Sequence, residues 1–329
     1  MAKARASPQG TGVNGSESLL ALIAVTGAAG FIGSHLVDTL LANGHQVRGL
    51  DDLSTGRREN LDPRCELLVG DVADPAAVRM LLEGATGCYH LAAIASVART
   101  NQDWSGGSRV NLGGTIRVLE AARDARHIPV VYASSAAVYG DPAGAAARED
   151  LAPRPLSAYG ADKLASELHA AAGWHVHGVP SFGLRFFNVY GPRQDPHSPY
   201  SGVISIFNRR LADGLGIEIH GDGTQIRDFV HVDDVITHLA AAMRHTAAHP
   251  GAAICNVCTG HGTSVHDLAR MLHALADSTP HISFGPARSG DIRVSLGDPT
   301  RATALLGCTA GITLSAGLAA LNKASRLAA

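Results

Sequence analysis

The chain has 329 residues, 46% of them hydrophobic and 17% charged, which suits one large globular unit or two lobes sharing a cleft. A net charge of -2 excludes a protein that holds nucleic acid by electrostatics. No apolar run reaches the length of a membrane span, so a membrane is not an expected partner either.

In chain order, residues 1–18 are rich in Gly, Ser and Ala, carry two early cations and lack an apolar stretch. They read as a disordered tail rather than a signal peptide. From residue 19 short apolar runs alternate with helical patterns. Strands are expected at 22–26, 46–50, 65–69, 87–91 and 129–133, and helices at 30–42, 75–82, 108–125 and 158–172. This alternation implies right-handed crossovers and an α/β fold, a Rossmann-type doubly wound parallel sheet over residues 19–187. After about residue 190 Pro and Gly cluster in 191–202, 221–223 and 285–290. Residues 188–329 are therefore expected to form mainly a smaller mixed α/β lobe of loops and short helices around a ligand, with some segments returning to the first domain.

The 17 His are scattered without metal-site spacing, and no metal is expected. Five cysteines, Cys65, Cys88, Cys255, Cys258 and Cys308, give no disulfide framework and fit a reducing cytoplasm. Cys255-Asn-Val-Cys258 is formally C-x-x-C, but 252–257 reads as an apolar strand, so both thiols are expected in the core.

Gly27, Gly30 and Gly33 follow the first strand and open a helix. The first permits a tight turn, the second lets backbone approach a pyrophosphate, and the third lets helix pack on strand. The helix start supplies N–H groups for an anion. Asp51 and Asp52 stand at the end of the second strand, 18 residues beyond Gly33, where a carboxylate accepts from ribose hydroxyls and repels a 2′-phosphate. NAD is favoured over NADP, although Arg57 and Arg58 in the following loop pull the other way.

Tyr159 and Lys163 lie four residues apart, on one face of a helix. A free phenol has a pKa of about 10, and a nearby ammonium and a positive nicotinamide ring both favour the phenolate, so the pair can serve as a base at neutral pH. Ser134 and Ser135 directly follow the fifth strand, at the carboxyl edge where ligands bind.

With these motifs on the page, the chain resembles the extended short-chain dehydrogenase/reductase superfamily, and within it the nucleotide-sugar 4-epimerases. The likeness rests on the glycine turn, His90-Leu91-Ala92-Ala93, Asn111, Ser134-Ser135 and Tyr159/Lys163, and it runs over nearly all of residues 20–325. It implies that Ser135, Tyr159 and Lys163 are catalytic. It also implies that NAD is held by Gly27, Gly30, Phe31, Ile32, Gly33, Asp51, Asp52, Asp71, Val72, Leu91, Ala92, Ala93, Asn111 and Ser134, with Tyr159 and Lys163. The segment from Arg185 to Pro196 matches one whose asparagine, Asn188 here, lies near sugar and diphosphate. The segment from Gly221 to His231 matches one whose arginine, Arg227 here, grips the diphosphate. Arg288-Ser289-Gly290-Asp291 matches one whose arginine contacts phosphate and whose aspartate binds ribose. Ser96, Arg99, Ser135, Val203 and Ser295 complete the substrate residues that the resemblance implies.

The relatives differ in reaction at readable positions. Nucleotide-sugar 4,6-dehydratases carry an Asp-Glu pair just after the catalytic Ser/Thr, related decarboxylases a Glu, and GDP-mannose-type 3,5-epimerases a Cys. This chain has Ala136 and Ala137, which transfer no protons. The resemblance then implies the simplest chemistry. Tyr159 takes the proton of the sugar 4-hydroxyl while hydride leaves C4 for NAD, and the 4-keto sugar turns and receives hydride on its other face. The substrate is expected to be a UDP-hexose. Epimerases restricted to non-acetylated sugars carry a Tyr where Ser295 stands, so room for a 2-acetamido group is expected. UDP-glucuronate epimerases carry Thr at Asn188 and Arg at Asp195, and an acidic Asp195 facing the sugar would discourage a 6-carboxylate. The loop from His197 to Ile204 is expected to cover sugar and uracil.

Two other classes stay open: a net reductase that releases reduced cofactor at each turnover, and a non-catalytic NAD-binding regulator. The resemblance also implies a homodimer through helices near 115–126 and 160–172, with Leu119, Ala122, Leu164, Ala165 and Leu168 as candidate contacts.

Overall fold

The computed structural model describes residues 21–195, 202–276, 281–287 and 292–328. The tail, most of the loop beginning at His197, and both Arg288 and Asp291 lie outside the described residues.

Seven parallel strands form the central sheet: β1 (Leu22–Thr26), β2 (Gln46–Asp51), β3 (Glu66–Val69), β4 (Gly87–His90), β5 (Val130–Ser135), β6 (Ser181–Phe186) and, later in the chain, β10 (Ala252–Val257). Their spatial order is β10-β6-β5-β4-β1-β2-β3. The inner strands β1, β4, β5 and β6 are almost wholly buried, as a sheet covered on both faces requires, while the edge strand β3 is partly exposed. One cluster joins the helices Phe31–Ala42 and Val232–Ala248 to the sheet through Leu36, Val37, Val235 and Leu239. The other joins Pro75–Leu82 and Gly114–Asp124 through Val78, Leu81, Val118 and Ala122. This is the Rossmann-type doubly wound fold.

The chain runs outward through β1, β2 and β3, then returns to place β4 on the other side of β1. A crevice opens where strand order reverses, and it opens at the carboxyl ends of the strands. Three short strands and the edge of a fourth build the remainder: β7 (Asn188–Tyr190), β9 (Ile226–His231), β11 (Gly262–Ser264) and β13 (Val294–Ser295) make one small sheet. β8 (Ile217–His220) pairs with β12 (Ile282–Gly285). Ile204, Phe207, Ile217, Ile219 and Leu268 form their core.

Two expectations need correction. The helix expected over 108–125 is three pieces: Trp104–Ser108, a π-helical turn Arg109–Gly113, and Gly114–Asp124. Asn111 in the π turn is fully buried and bonded to Ile94, which holds the extra residue in the helix. Nor is the second half only loops and short helices. Val232–Ala248 has 17 residues and packs on β5, β6 and Phe31–Ala42.

Candidate active site

At the crevice the ends of β1, β2, β4, β5 and β6 line a cleft of about 460 Å³, within the ordinary size of a small-ligand site. The glycine turn forms one wall. Gly27 has φ +66, which an L side chain rarely adopts, and a Cβ on Gly33 would meet the Gly27 carbonyl at 2.0 Å. The turn is therefore as tight as its composition allows. Phe31–Ala42 starts here with no acidic residue in its first turn, leaving its N–H groups for an outside anion.

Asp51 is the last residue of β2. Its carboxylate accepts from Ala29 N–H and Leu53 N–H, both at 2.9 Å, and so ties strand end to glycine turn. Burial pushes its carboxyl up while those N–H groups pull it down. Asp52 is exposed and accepts from Ser54. Asp71 faces Arg109 at 2.6 Å, which together with the Ala73 N–H holds it below the usual carboxylate range against its partial burial.

The far wall carries the reactive groups. Ser157 caps the helix Ala158–His177 by accepting from Gly160 N–H at 3.1 Å, which places Tyr159 in the first turn and Lys163 one turn later. Lys163 is buried and donates to the Ala133 carbonyl at 2.8 Å. Its Nζ stands 5.8 Å from the centre of the Tyr159 ring. Burial brings the ammonium down to about 8, against the raising effect of Asp162 and Glu167. Ser135 ends β5, accepts from Ala137 N–H at 3.1 Å, and is hydrogen-bonded to Tyr159. Burial raises the Tyr159 phenol, and the Ser135 bond only partly offsets this. The chain's own groups thus keep Tyr159 a phenol at neutral pH, so the phenolate expected from the ammonium and the nicotinamide ring together needs the cofactor's charge.

Of the residues expected at the cofactor, Gly27, Gly30, Phe31, Ile32, Gly33, Asp51, Asp52, Asp71, Val72, Leu91, Ala92, Ala93, Ser134, Tyr159 and Lys163 all line this cleft. Asn111 does not. Its side chain is spent on both backbone groups of Ile94, behind the wall. Asn188 sits between the cleft residues Phe187 and Val189 and donates to the Asp228 carbonyl at 3.2 Å. Arg227 and Ser295 are register partners on β9 and β13, on one face of the small sheet. Asp228 accepts from Thr259 N–H and Gly260 N–H, which ties β9 to the loop after β10. Ser96 caps the short helix Val97–Gln102, Arg99 is exposed on that helix, and Val203 opens Val203–Ala212.

Asp195 comes within 3.5 Å of Arg57 in the loop after β2, at the opposite end from Ser135. Arg57 is correspondingly engaged. Sequence reasoning also missed Glu167, which takes both Arg185 nitrogens at 2.8 and 2.6 Å and the Ser134 hydroxyl. Its position, four residues beyond Lys163 on the same helix face, was the available signal.

A Rossmann-type fold with a dinucleotide-shaped cleft and a Ser/Tyr/Lys wall defines a class of nucleotide-dependent α/β proteins. Residues 23–258 match the model of the NAD dependent epimerase/dehydratase family, and the chain belongs to that family. It is 41% identical to a UDP-glucose 4-epimerase of Mycolicibacterium smegmatis over 90% of this chain and 95% of the relative. It superposes on the Thermus thermophilus UDP-glucose 4-epimerase complex with NAD at a TM-score of 0.86 and 35% identity, covering 94% and 100% of the two chains. A UDP-N-acetylglucosamine 4-epimerase from Methanobrevibacter ruminantium, in complex with UDP-N-acetylmuramic acid, gives 0.88 at 28% identity over 94% and 99%. Among the described residues no helix is long and apolar enough to cross a membrane.

Proposed function

We propose that this chain is an NAD-dependent isomerase that inverts C4 of a UDP-hexose, both UDP-glucose/UDP-galactose and UDP-GlcNAc/UDP-GalNAc. The observation that carries the reading is the wall at the end of β5. Ser135, Tyr159 and Lys163 meet there, Ala136 and Ala137 follow, and the other cleft carboxylates (Asp51, Asp52, Asp71) stand at the ends of β2 and β3. One acid/base, with no second proton carrier beside it among the described residues, suits oxidation and reduction at a single carbon.

The residues present fit the dinucleotide. The glycine turn cradles its pyrophosphate, Asp51 with Asp52 reads the ribose, and Asp71 with Val72 borders the adenine. When bound, NAD supplies a hydride acceptor and a positively charged ring at the Ser135 end. Tyr159 then takes the 4-hydroxyl proton and returns it after the sugar has turned. Ser135 holds the 4-oxygen, and Lys163 holds the nicotinamide ribose. Asn188 and Arg227 serve the diphosphate, with Arg288 and Asp291 joining them from outside the described residues, and Ser96, Arg99 and Val203 border the sugar and base. Ser295, the register partner of Arg227, is small, which leaves space for a 2-acetamido group. With Asp195 drawn to Arg57, a UDP-glucuronate 4-epimerase remains the second reading.

A homodimer is part of the proposal. Leu119 and Ala122 belong to the internal core, so they do not supply its contacts. Leu168, one of the expected contacts, is 64% exposed and supplies them together with Trp104, 69% exposed. Sedimentation of Leu168→Glu should show a folded monomer; an unchanged dimer would contradict this interface. The five free cysteines, four of them buried, suit a reducing cytoplasm.

The test is incubation with UDP-Glc, UDP-GlcNAc and UDP-GlcA, no cofactor added, while NMR follows axial and equatorial protons at C4. Interconversion of the first two is expected. No conversion of any of the three would overturn the assignment, and conversion of UDP-GlcA alone would select the second reading.

A further inference from the structure

A closed ring of buried hydrogen bonds lies behind the cleft wall of residues 91–95, and no step proposed above uses it. Thr26, at the end of β1, accepts with Oγ1 from the N–H groups of Leu91 and Ala92, each at 3.1 Å. Both of its lone pairs are taken, so its own hydrogen points to Nδ1 of His90, 2.8 Å away. An accepting Nδ1 leaves the ring hydrogen on Nε2. That nitrogen faces Thr115 Oγ1 at 3.0 Å. Thr115 gives its hydrogen to the Asn111 carbonyl at 2.7 Å, and Ser166, on the helix of Tyr159 and Lys163, shares its one hydrogen between Thr115 Oγ1 at 3.2 Å and the Asp162 carbonyl at 2.9 Å. Asn111 closes the ring by accepting from Ile94 N–H at 2.8 Å and donating to its carbonyl at 3.3 Å. Thr26, His90, Asn111 and Thr115 are all essentially solvent-free.

We infer that His90 is a positioning residue: as the neutral Nε2–H tautomer it ties the glycine turn, the cleft wall 91–95 and the helix of Tyr159 and Lys163 into one unit that sets the dinucleotide cleft. Few side chains could do this. The position needs an acceptor toward Thr26 and a donor toward Thr115, on two edges of one flat group. Protonation would turn Nδ1 into a donor and force Thr26 to give up Leu91 or Ala92. Burial and the neighbouring Lys163 ammonium oppose that protonation, holding the imidazole down to about 3. A Cβ on Gly27 would meet Ala92 N at 2.8 Å, so wall and glycine turn touch directly. A small shift of the wall therefore reaches the turn.

The inference rests on the NAD reading only where NAD release is measured; the tautomer is independent of it. Nitrogen NMR of the histidine-labelled protein should show His90 protonated at Nε2 alone, with no titration between pH 5.5 and 9, a window chosen about the ordinary imidazole pKa. An Nδ1–H ring, or one that titrates there, would overturn the inference. His90→Leu and Thr115→Val should each release NAD about tenfold faster, the effect of losing one buried hydrogen bond. His90→Gln keeps one acceptor and one donor and should restore much of the retention. A core variant such as Val47→Ala, matched to them in thermal midpoint, should retain NAD as the native protein does. Equal NAD release by His90→Leu, Thr115→Val and this core variant would reduce His90 to a stability residue. If His90→Leu does not fold, Thr115→Val and the native tautomer decide the question. A native protein that carries no NAD overturns the proposed function, and the ring's tautomer still decides this inference.

Discussion

Tyr159 and Lys163 divide the work in a way their spacing alone does not reveal. The i, i+4 pattern puts them on one face, but burial, which spacing does not report, decides their protonation. The phenol is held up by burial, so it needs positive charge from outside the chain to become a base. Replacing Tyr159 with Phe should lower kcat by about a hundred- to ten-thousandfold, with NAD content and thermal midpoint unchanged; activity within a fewfold of native would remove its role. Lys163 makes a second prediction. Its folded pKa is lowered to about 8 from an ordinary 10.5. Between those values the unfolded chain binds the extra proton, so this group's contribution to stability rises as pH climbs through the window. Lys163→Met lacks that term, and the native protein should therefore gain thermal midpoint relative to this variant from pH 7.5 to 9.5, either side of the folded value. A constant difference would mean that Lys163 titrates normally.

At the scale of elements, six strands of the central sheet were readable, whereas β6 (Ser181–Phe186) and the short strands of the second half were not among those expected. β1 and the helix Pro75–Leu82 have the bounds their patterns predict, because apolar runs and a Pro at the helix start are local signals. The π turn at Arg109–Gly113 was not legible, since it depends on a long-range bond from Asn111 to Ile94. The same bond explains why Asn111 is missing from the cleft. The glycine turn was fully legible, because its constraints are steric and local. Gly33→Ala should overpack the Gly27 carbonyl, lower stability by about 1–3 kcal/mol and abolish copurification of NAD. A variant with native stability that still retains the dinucleotide would show that the helix tolerates the shift.

For the whole molecule, the crevice sits where strand order reverses between β4 and β1, and the small sheet built on β9 faces it through β7. That arrangement was predictable as a class from the alternation of strands and helices. A return of some of the second half to the first domain was expected, but which segments return was not legible, since pairing of β10 with β6 and packing of Val232–Ala248 on the main sheet leave no local trace. Charge behaved similarly: the contact of Asp195 with Arg57 joins residues far apart in the chain and leaves no trace in the linear sequence. Among the described residues the cleft has one proton carrier at the Ser135 end and a tight dinucleotide turn, which together imply that a hydride leaves and returns to the same carbon. The most direct measurement is the fate of deuterium placed at C4 of UDP-glucose. The label should remain at C4 of the UDP-galactose formed, with none in water and none in released cofactor. Loss of the label to solvent, or stoichiometric release of labelled reduced cofactor without C4 inversion, would contradict the account.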